Sequence, residues 1–336
     1  MGSLPLSICI PTYNFGAFIG QTLTSIISQA TDDVEIVVVD GASTDNTEEV
    51  VRGAQAVFPR LSYHRRETNM GVDRDLAKAV ELAEGDYCWL MSSDDVIRPS
   101  AIQIILSEIQ HRCDVYLCNR TECDSNLIPI RDRPWLSRTY ADPVFHFSAN
   151  SDWINYFNQA KSIGALFSYI SSIIVSREKW NIIGWDERTA GSNYAHVFRI
   201  FSILNNNGAL KYIKDPLVLC RGRNDSFSSQ GLTRRILIDL NGYELLASRL
   251  FDEEAPKSAL KYVMRREHPW FMLARLPRNE DAQQWQEFEQ KLIVFGYSRW
   301  NVFLLRLFSS LRPLVALARG FRNLLISTKV AIRRSF

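Results

Sequence analysis

Short apolar segments alternate with amphipathic ones along the first 120 residues, and this alternation constrains the fold more than any other feature. The segments that predict strands are LSICIP (6–11), VEIVVVD (34–40), LSYHRR (61–66), DYCWLM (86–91) and DVYLCN (114–119). Continuous apolar runs of this length are typical of strands that are buried on both faces. Between the runs, apolar residues recur at helical spacing, as in the series Ile19, Leu23 and Ile26. Strands that alternate with helices predict an α/β fold built on a mostly parallel sheet.

Each of the first four predicted strands is followed by a polar loop. The loops are PTYN, DGASTD, NMGVDRD and SSDD, in chain order. Ligands of open α/β sheets bind beyond the carboxyl ends of the strands, so we expect these four loops to line one site. The segment PTYNFGAFIG has no GxGxxG pattern, and the chain has no phosphate-binding P-loop. Nicotinamide-dependent enzymes and P-loop ATPases are therefore poor candidates.

Two adjacent carboxylates, Asp94 and Asp95, follow the fourth predicted strand. Carboxylates at the end of a rigid strand can hold Mg²⁺ or Mn²⁺ together with the phosphates of a substrate. Such a cation neutralises the charge that develops on a diphosphate leaving group. The alternative is that one of the two caps the helix that is predicted near Pro99. The residues by themselves leave both roles open.

The order of these segments resembles the family 2 glycosyltransferases of the GT-A fold. The resemblance rests on LSICIPTYN, VEIVVVDGASTDNT and NMGVDRDLAKAVELAEGDYCWLMSSDD, which follow one another at the family's spacing. Within the family, NMGVDRD, SSDD in place of DxDD, and CRGRNDSFS (220–228) are most similar to the bacterial abequosyltransferases. Those enzymes transfer a 3,6-dideoxyhexose from a CDP-sugar to a lipid-linked O-antigen unit. The resemblance implies a Rossmann-like GT-A domain and a hexosyltransferase that depends on a nucleotide sugar.

The resemblance also implies roles for individual loop residues. Those that match the nucleotide-sugar site are Pro11, Tyr13, Asn14, Asp40, Asn69, Gly71 and Asp73. Asp40 could instead only initiate its turn, and Tyr13 could be an ordinary surface aromatic. Asp94 matches the metal-binding carboxylate of the DxD motif, and Ser92 stands where the first Asp of that motif usually lies. A hydroxyl is a weaker ligand than a carboxylate, so this replacement puts the metal geometry in question.

Two arginines in CRGRNDSFS are further candidates for the donor site. We expect Arg221 and Arg223 to lie on a mobile loop and to pair with the diphosphate, because a guanidinium matches phosphate geometry well. The alternative is that both are solvated loop charges.

The sequence lacks the catalytic base that inverting relatives place at the start of a helix after a GGFDE-like loop. The corresponding segments here are GWDE (184–187) and GSNYAHVFRIF (191–201), with Ser192 and Asn193 at the acidic positions. Neither side chain can act as a general base.

Three other residues are catalytic candidates. His196 lies one helical turn further on and has a reference pKa suited to proton abstraction, although it could be a structural histidine. Asp186 is a second candidate base, and Asp95 is a third catalytic candidate. A retaining reaction would need no such base, so the stereochemistry is open.

The carboxyl-terminal region differs in charge from the rest of the chain. The formal net charge is +2, yet the segment from Lys291 to Phe336 contains nine Lys or Arg and no Asp or Glu. Large apolar residues such as Trp300 and Phe303 are interleaved with the basic ones, and no run of 18 apolar residues occurs. We expect amphipathic helices that lie on an anionic membrane surface, with a packed helix pair as the alternative. Nucleic-acid binding is not expected, because aliphatic residues crowd the same stretch.

The predicted organisation is a GT-A catalytic domain (1–228), a helical extension (229–292) and basic amphipathic membrane-associating helices (293–336). The chain begins directly with a strand and not with a signal peptide, so we expect a protein at the cytoplasmic face of the bacterial inner membrane. The expected partners are a nucleotide-sugar donor and a polyprenyl-diphosphate-linked oligosaccharide acceptor.

Two other functions are compatible with an α/β sheet that carries paired carboxylates. A nucleotidyltransferase is expected to have a Gly-rich loop with a Lys or Arg after the first strand, and PTYNFGAF has no basic residue. A non-catalytic nucleotide-binding scaffold of a membrane glycan-assembly complex is favoured only by the replaced acidic residues at Ser92, Ser192 and Asn193.

Overall fold

The computed structural model describes residues 4–137, 142–222, 224, 231–276 and 281–310. The strands are β1 (Leu6–Thr12), β2 (Val34–Asp40), β3 (Leu61–Arg65), β4 (Tyr87–Leu90), β5 (Val96–Ile97), β6 (Val115–Cys123), β7 (Pro129–Arg133), β8 (Val144–His146), β9 (Ile173–Ser176) and β10 (Ala209–Cys220). Within the described residues they form one sheet in the order β3–β2–β1–β4–β9–β6–β10–β5, with β7 beside β6 and β8 beside β10.

Helices cover the two faces of this sheet and form most of the chain after residue 231. They are α1 (Gly16–Ile27), α2 (Thr47–Val57), α3 (Val72–Leu82), α4 (Ala101–Glu108), α5 (Asn150–Gln159), α6 (Arg177–Ile183), α7 (Ala195–Asn205), α8 (Leu232–Leu250), α9 (Glu254–Glu267), α10 (Trp270–Leu273) and α11 (Ala282–Val294). A further helix begins at residue 299 and continues to residue 310, where the description ends. None of the helices in the described ranges is long and apolar enough to cross a membrane.

The parallel arrangement expected from the alternating segments is found in β1 to β4. β1 pairs in parallel with β2 and with β4, and Leu6 lies opposite both Val34 and Tyr87. The sheet becomes mixed beyond β4, because β9 runs antiparallel to both β4 and β6. The sequence suggested that DVYLCN would simply close the parallel series. Instead β9, from a region without clear periodicity, separates it from β4.

The strands of the parallel half are buried on both faces, as their continuous apolar sequences predict. In β2, Ile36 and Val38 face one hydrophobic cluster, and Val37 and Val39 face the other. This follows from the two-residue period of a strand, which points neighbouring side chains to opposite faces. The first cluster is covered by α1 and α4, and the second by α3 and α7.

The second cluster continues without a break into the helices after residue 231. It includes Leu90 of the sheet together with Leu246 of α8, Leu260 of α9 and Trp285 of α11. The helical extension therefore shares its hydrophobic core with the sheet. This shared core places α8 and α10 where they can contribute to a site at the edge of the sheet.

Candidate active site

The loops that follow the parallel strands meet at one edge of the sheet and border a large cavity. β1 and β2 end level with each other, since Thr12 is paired with Asp40. The cavity has a volume of about 1070 Å³. The predicted site residues that line it are Pro11, Tyr13, Asn69, Gly71, Asp73, Ser92, Asp94, Asp95, His196 and Arg221. Three of the four loops expected at this edge, PTYN, NMGVDRD and SSDD, contribute lining residues, whereas DGASTD contributes none.

Tyr13, Asn69 and Gly71 form one wall of the cavity. Tyr13 is partly exposed, so the face of its ring is available to a ligand. The Asn69 side chain accepts a hydrogen bond from the Gly71 N–H at 2.9 Å, which closes a tight turn before α3. Gly71 has a φ of 84°, a conformation that L side chains rarely adopt. This explains the need for glycine in the loop NMGVDRD.

Asp94 lies on the cavity wall with both carboxylate oxygens hydrogen-bonded. Ser92 Oγ donates to Oδ1 at 2.5 Å, and Asn224 Nδ2 donates to Oδ2 at 2.8 Å. The helix-capping alternative is not observed, because α4 begins at Ala101 and its N-cap residue is Ser100, whose side chain makes no capping hydrogen bond. The carboxylate is thus held by two short polar side chains that face the same cavity.

The ligands available for a metal ion are oxygen atoms around Asp94. The described part of the chain contains no group of three or more His, Cys, Asp or Glu residues placed to hold a metal ion. Mg²⁺ in nucleotide enzymes often uses only one or two carboxylates and takes its remaining ligands from substrate phosphates and water. The Asp94 carboxylate and the Ser92 hydroxyl fit that kind of site, in which a diphosphate completes the coordination.

Asp95 is completely buried and organises the loops around Asp94. Its carboxylate accepts hydrogen bonds from Tyr169 Oη and Ser171 Oγ at 2.6 Å each, and from the Arg221 N–H at 3.1 Å. Burial, followed by the charge of Asp94, raises the pKa of Asp95 to about 6. These contacts join the ends of β4 and β10 to the segment before β9. They favour a positioning role for Asp95 over the catalytic role that we expected.

The guanidinium of Arg221 is bonded within the protein and is not extended toward a ligand. Nε donates to the Asp94 carbonyl at 3.0 Å, Nη1 to the Ser125 carbonyl at 2.8 Å and Nη2 to Gln21 Oε1 at 2.5 Å. The residue is buried, and its guanidinium lies over the Phe18 ring. Three of its five N–H donors are used in these bonds, so Arg221 is held in place and is not a mobile residue, while its pairing with the diphosphate stays a prediction. Arg223 lies outside the described residues.

Asp40 and Asn14 also hold loops together and do not line the cavity. Asp40 is fully buried and accepts from the Ser43 N–H at 2.8 Å and from Tyr63 Oη at 2.6 Å. The Asn14 side chain accepts from the Thr44 N–H at 2.7 Å. The turn-forming alternative for Asp40 matches these contacts better than the direct nucleotide contact that the resemblance implied.

Asp75 is the carboxylate that reaches the cavity in this region, and the sequence reasoning missed it. It is buried, lines the cavity and pairs with Arg66 at 3.1 Å. Burial raises the pKa of its carboxyl group. A Cβ at Gly41 would lie 2.7 Å from Asp75 Oδ2, so the glycine of DGASTD allows this close approach.

Asp73 joins α3 to the segment that precedes α7. Its carboxylate accepts from the Asn193 N–H at 2.8 Å and from the Ala195 N–H at 3.3 Å. Burial raises the pKa of Asp73, although the backbone N–H donors oppose that shift. A carboxylate from another part of the chain thus lies beside the segment in which Ser192 and Asn193 replace the acidic residues of inverting relatives.

The two candidate bases differ in their surroundings. His196 is buried at the cavity wall, and its Nε2 lies 3.1 Å from the Phe167 carbonyl, a contact that requires an N–H at this atom. Burial lowers the pKa of His196 to about 4, so the imidazole is neutral near pH 7 and a weak base. The geometry supports the structural alternative for this histidine.

Asp186 is not among the residues that line the cavity. It forms ion pairs with Arg188 at 2.8 Å and with Arg249 at 2.7 Å. The hydrogen bonds from Arg188 are the main cause that lowers the pKa of Asp186 to about 2. A carboxylate so strongly stabilised in its charged form is a poor proton acceptor, so the prediction of Asp186 as the base is not supported by its position.

Comparison with known proteins identifies the family. The model of glycosyl transferase family 2 matches residues 7–168. The chain is 38% identical over 299 residues to abequosyltransferase RfbV of Salmonella typhimurium, which covers 85% of this chain and 89% of that protein. The chain belongs to glycosyl transferase family 2. It is also 23% identical over 226 residues to glycosyltransferase GlyG of Streptococcus pneumoniae, which covers 66% of this chain and 72% of that protein.

Solved structures show that this family 2 glycosyltransferase has the GT-A fold. S. aureus TarS 1–349 in complex with UDP-GlcNAc superposes with a TM-score of 0.64 at 19% identity and covers 92% of both chains. The mannosyltransferase PcManGT of Pyrobaculum calidifontis, in complex with GDP-Man and Mn²⁺, gives a TM-score of 0.55 at 16% identity, over 96% of this chain and 83% of that one. The expected fold and the expected dependence on a nucleotide sugar are confirmed, and the nucleotidyltransferase alternative is not.

The family 2 site also contains an arginine that the sequence did not single out. Arg120, on β6, lines the cavity with its guanidinium over the rings of Trp135 and Tyr169, at 4.9 and 4.4 Å from their centres. Its Nε is buried and has no hydrogen-bond partner within the described residues. The local sequence gives no signal that Arg120 belongs to the site, because the rings of Trp135 and Tyr169 come from other segments of the chain.

A second polar cluster lines the part of the cavity that the helical extension forms. Asp239 of α8 accepts a hydrogen bond from Tyr194 Oη, forms an ion pair with Arg235 and lies 3.8 Å from His268 Nε2. Gly242 allows this arrangement, since a Cβ there would lie 2.6 Å from the Tyr194 ring. The helical extension of this glycosyltransferase is therefore part of the site and not an appendage.

Proposed function

We propose that the protein transfers a 3,6-dideoxyhexose, such as abequose, from a CDP-linked donor to a lipid-linked oligosaccharide in O-antigen synthesis. The observation that carries this proposal is the 38% identity to an abequosyltransferase, which extends over 85% of this chain and 89% of that protein. Family membership establishes a glycosyltransferase. The donor sugar, the acceptor and the membrane surface are the proposed parts.

The nucleotide part of the donor is assigned to the wall formed by Tyr13, Asn69 and Gly71. A partly exposed aromatic ring beside a rigid turn suits the stacking of a nucleobase. Asp75 is the buried carboxylate in the same wall that can accept hydrogen bonds from a base or ribose.

The diphosphate is assigned to the region of Asp94 and Ser92. Mg²⁺ or Mn²⁺ held by these two residues would neutralise the charge of the leaving diphosphate. Asp94 is oriented by Ser92 and Asn224, so the carboxylate is fixed before a donor binds.

The sugar is assigned to a mostly apolar part of the cavity. Trp135, Ile163, Tyr169 and Ile170 line it, and the Arg120 guanidinium lies over two of these rings. A dideoxyhexose lacks two hydroxyl groups, so fewer polar partners are needed to bind it. An ordinary hexose would leave hydroxyl groups without partners there, which costs binding free energy.

The positions of the candidate bases favour a reaction that retains the donor configuration. His196 is neutral and bonded to Phe167, and Asp186 does not line the cavity. In the proposed step the acceptor oxygen bonds to the anomeric carbon as the bond to the phosphate oxygen breaks. The acceptor proton then passes to that departing oxygen.

We assign the membrane contact to the helix that begins at residue 299. Its buried face consists of Val302, Leu305 and Ser309. The opposite face exposes Trp300, Phe303, Leu307 and Phe308 at helical spacing. An exposed apolar stripe on a packed helix supports a peripheral position on the cytoplasmic face of the inner membrane. The basic residues after 310 lie outside the described residues. The division at residues 228 and 292 stays a proposal, and α11 (Ala282–Val294) extends across the second boundary.

The test combines nucleotide binding with product analysis. Thermal shifts with CDP, UDP, GDP and dTDP, each with and without Mn²⁺, should show the largest stabilisation for CDP with metal. Incubation with CDP-abequose and a lipid-linked oligosaccharide acceptor should yield a product whose anomeric configuration is read by NMR. A shift with UDP alone, or transfer of glucose or N-acetylglucosamine in preference, would overturn the proposed donor. Binding without turnover would favour the scaffold alternative.

A further inference from the structure

The part of the cavity formed by the helical extension combines cationic groups with an exposed apolar rim. The lining residues that matter here are Leu232 and Arg235 of α8, His268, Met272 of α10, and Arg275. Neither the family match nor the relatives assign a ligand to this part of the cavity.

The acidic groups here already have hydrogen-bond partners, whereas His268 lies 3.8 Å from Asp239 without a hydrogen bond to it. Asp239 is bonded to Arg235 and Tyr194, and Glu267 accepts from the Ile163 N–H at 3.3 Å. His268 Nε2 is buried and has no hydrogen-bond partner in the described part of the chain.

Arg275 is exposed at the cavity. Among the described residues, its side chain shows no hydrogen bond or ion pair. The groups in this region that are still able to bind a ligand are thus the Arg275 guanidinium and the His268 imidazole, which together suit an anion with several oxygens.

The rim of the cavity beside Arg275 and His268 is apolar and exposed. Leu232, Met272 and the adjacent Phe271 are 59%, 54% and 52% exposed, respectively. Soluble surfaces rarely carry several large apolar side chains together without a partner.

The same rim is next to the start of the exposed apolar stripe. Tyr297 Oη donates to the His268 carbonyl at 2.5 Å, which holds the helix that begins at residue 299 beside α10. The mouth of the cavity thus lies next to the exposed apolar stripe that includes Trp300.

We propose that Arg275 and His268 bind the diphosphate of the lipid-linked acceptor, while Leu232, Phe271 and Met272 contact its prenyl chain at the membrane surface. The inference rests on the proposed function, because it names how the acceptor of that reaction is held. The glycan then extends through the cavity toward Asp94, and the lipid remains at the α10 rim. A prenyl diphosphate has the same two features, a polyanionic group joined to an apolar chain.

Direct binding measurements with farnesyl diphosphate, farnesol and inorganic pyrophosphate test the proposal by separating the two halves of the ligand. Wild type should bind farnesyl diphosphate more tightly than either of the other probes. Arg275→Gln should weaken binding of farnesyl diphosphate about tenfold, the effect expected from losing one hydrogen bond to a charged group. Phe271→Ser should weaken the binding of farnesyl diphosphate and leave the binding of pyrophosphate unchanged.

Arg60→Gln is the matched control, since Arg60 is an exposed arginine on the loop before β3. It should bind all three probes like wild type. Equal binding by wild type and Arg275→Gln would overturn the proposal, as would loss of farnesyl diphosphate binding in Asp94→Asn alone, which would place the probe in the donor site. Pyrophosphate that binds as tightly as farnesyl diphosphate would indicate a site for a free anion.

Failure of this inference is distinguishable from failure of the proposed function. The CDP shift with Mn²⁺ should be the same in wild type and in Arg275→Gln, because Arg275 is assigned to the acceptor and not to the donor. An absent CDP shift in wild type would reject the donor assignment, whatever the probes show. A normal CDP shift with no effect of Arg275→Gln on farnesyl diphosphate would reject the inference alone.

Discussion

The carboxylate of Asp73 accepts a hydrogen bond from the backbone N–H of Asn193 at 2.8 Å, across 120 residues of sequence. It thereby fixes the segment before α7, part of which lines the cavity. Its role as a cross-link differs from the nucleotide contact that the loop NMGVDRD suggested. The contact also explains how that segment is ordered without acidic residues at 192 and 193.

Asp73→Asn should lower both stability and activity. The amide keeps one acceptor oxygen and turns an N–H₂ group toward the backbone donors, which should cost about 1.5–3 kcal/mol of unfolding free energy. The value of kcat should fall with it, because Asn193 and His196 line the cavity. Asp186→Asn is the matched control: it removes the ion pairs with Arg188 and Arg249, which lie outside the cavity lining, and should keep kcat near wild type. Chemical denaturation measures the unfolding free energy, and transfer assays measure kcat. A large loss of kcat in Asp186→Asn would support Asp186 as the catalytic base.

Asp94→Asn should reduce transfer more than Ser92→Ala does. Ser92 orients the carboxylate, and loss of such a partner reduces metal affinity or activity about 10–100-fold. Asp94 supplies the ligand itself, so its replacement should cost more. Titration of transfer activity against Mn²⁺ distinguishes weakened metal affinity from loss of the metal ligand. The activity of Ser92→Ala should recover at high Mn²⁺ concentration, whereas that of Asp94→Asn should not. Full activity of Asp94→Asn would exclude the metal role.

His196→Gln should make stability less dependent on pH. The pKa of His196 is lowered to about 4 in the folded protein, whereas an unfolded histidine has a pKa of about 6.5. Between these values the unfolded state binds more protons, so wild type loses stability as the pH falls, by up to about 1.4 kcal/mol per pH unit. Denaturation curves from pH 7 to pH 4.5 should show a shallower slope for the variant. Parallel slopes would mean that the imidazole is not buried in its neutral form.

Gly242→Ala should destabilise the fold and the Asp239 cluster. The added methyl group would lie 2.6 Å from the Tyr194 ring, and overpacking of this kind costs about 1–3 kcal/mol. Gly53→Ala is the matched control, because it lies inside α2 with nothing within 4 Å of the new Cβ. That change should stabilise the protein by about 0.5–1 kcal/mol. Thermal and chemical denaturation compare the two, and equal effects would contradict the close contact.

Trp300→Ser and Phe303→Ser should each reduce binding to vesicles that contain anionic lipid. Both side chains are exposed on the stripe, so their loss should lower affinity by about tenfold while stability stays close to wild type. Ile182→Ser is the control, since Ile182 is an exposed apolar residue on α6, away from the stripe. Co-sedimentation with vesicles measures the affinity. Dimer dissociation in place of reduced vesicle binding would indicate that a second copy covers the stripe.

The sequence by itself determined the parallel half of the sheet and the polar edge at its carboxyl ends. Both depend on local order: continuous apolar runs predict buried strands, and parallel strands must end on the same side. For this reason the order of the residues alone was enough to place Tyr13, Asn69 and Asp94 at one site.

Only the tertiary structure decided which carboxylates face the cavity and which hold the chain together. Asp40 and Asp73 bind backbone N–H groups, and the partners of Arg221 lie up to 200 residues away. Contacts between residues so far apart in the chain do not produce a periodic pattern in the sequence. The acceptor side of the cavity depends on how α8 and α10 pack against the sheet, and that packing is set by a hydrophobic core shared among distant segments and not by local pattern.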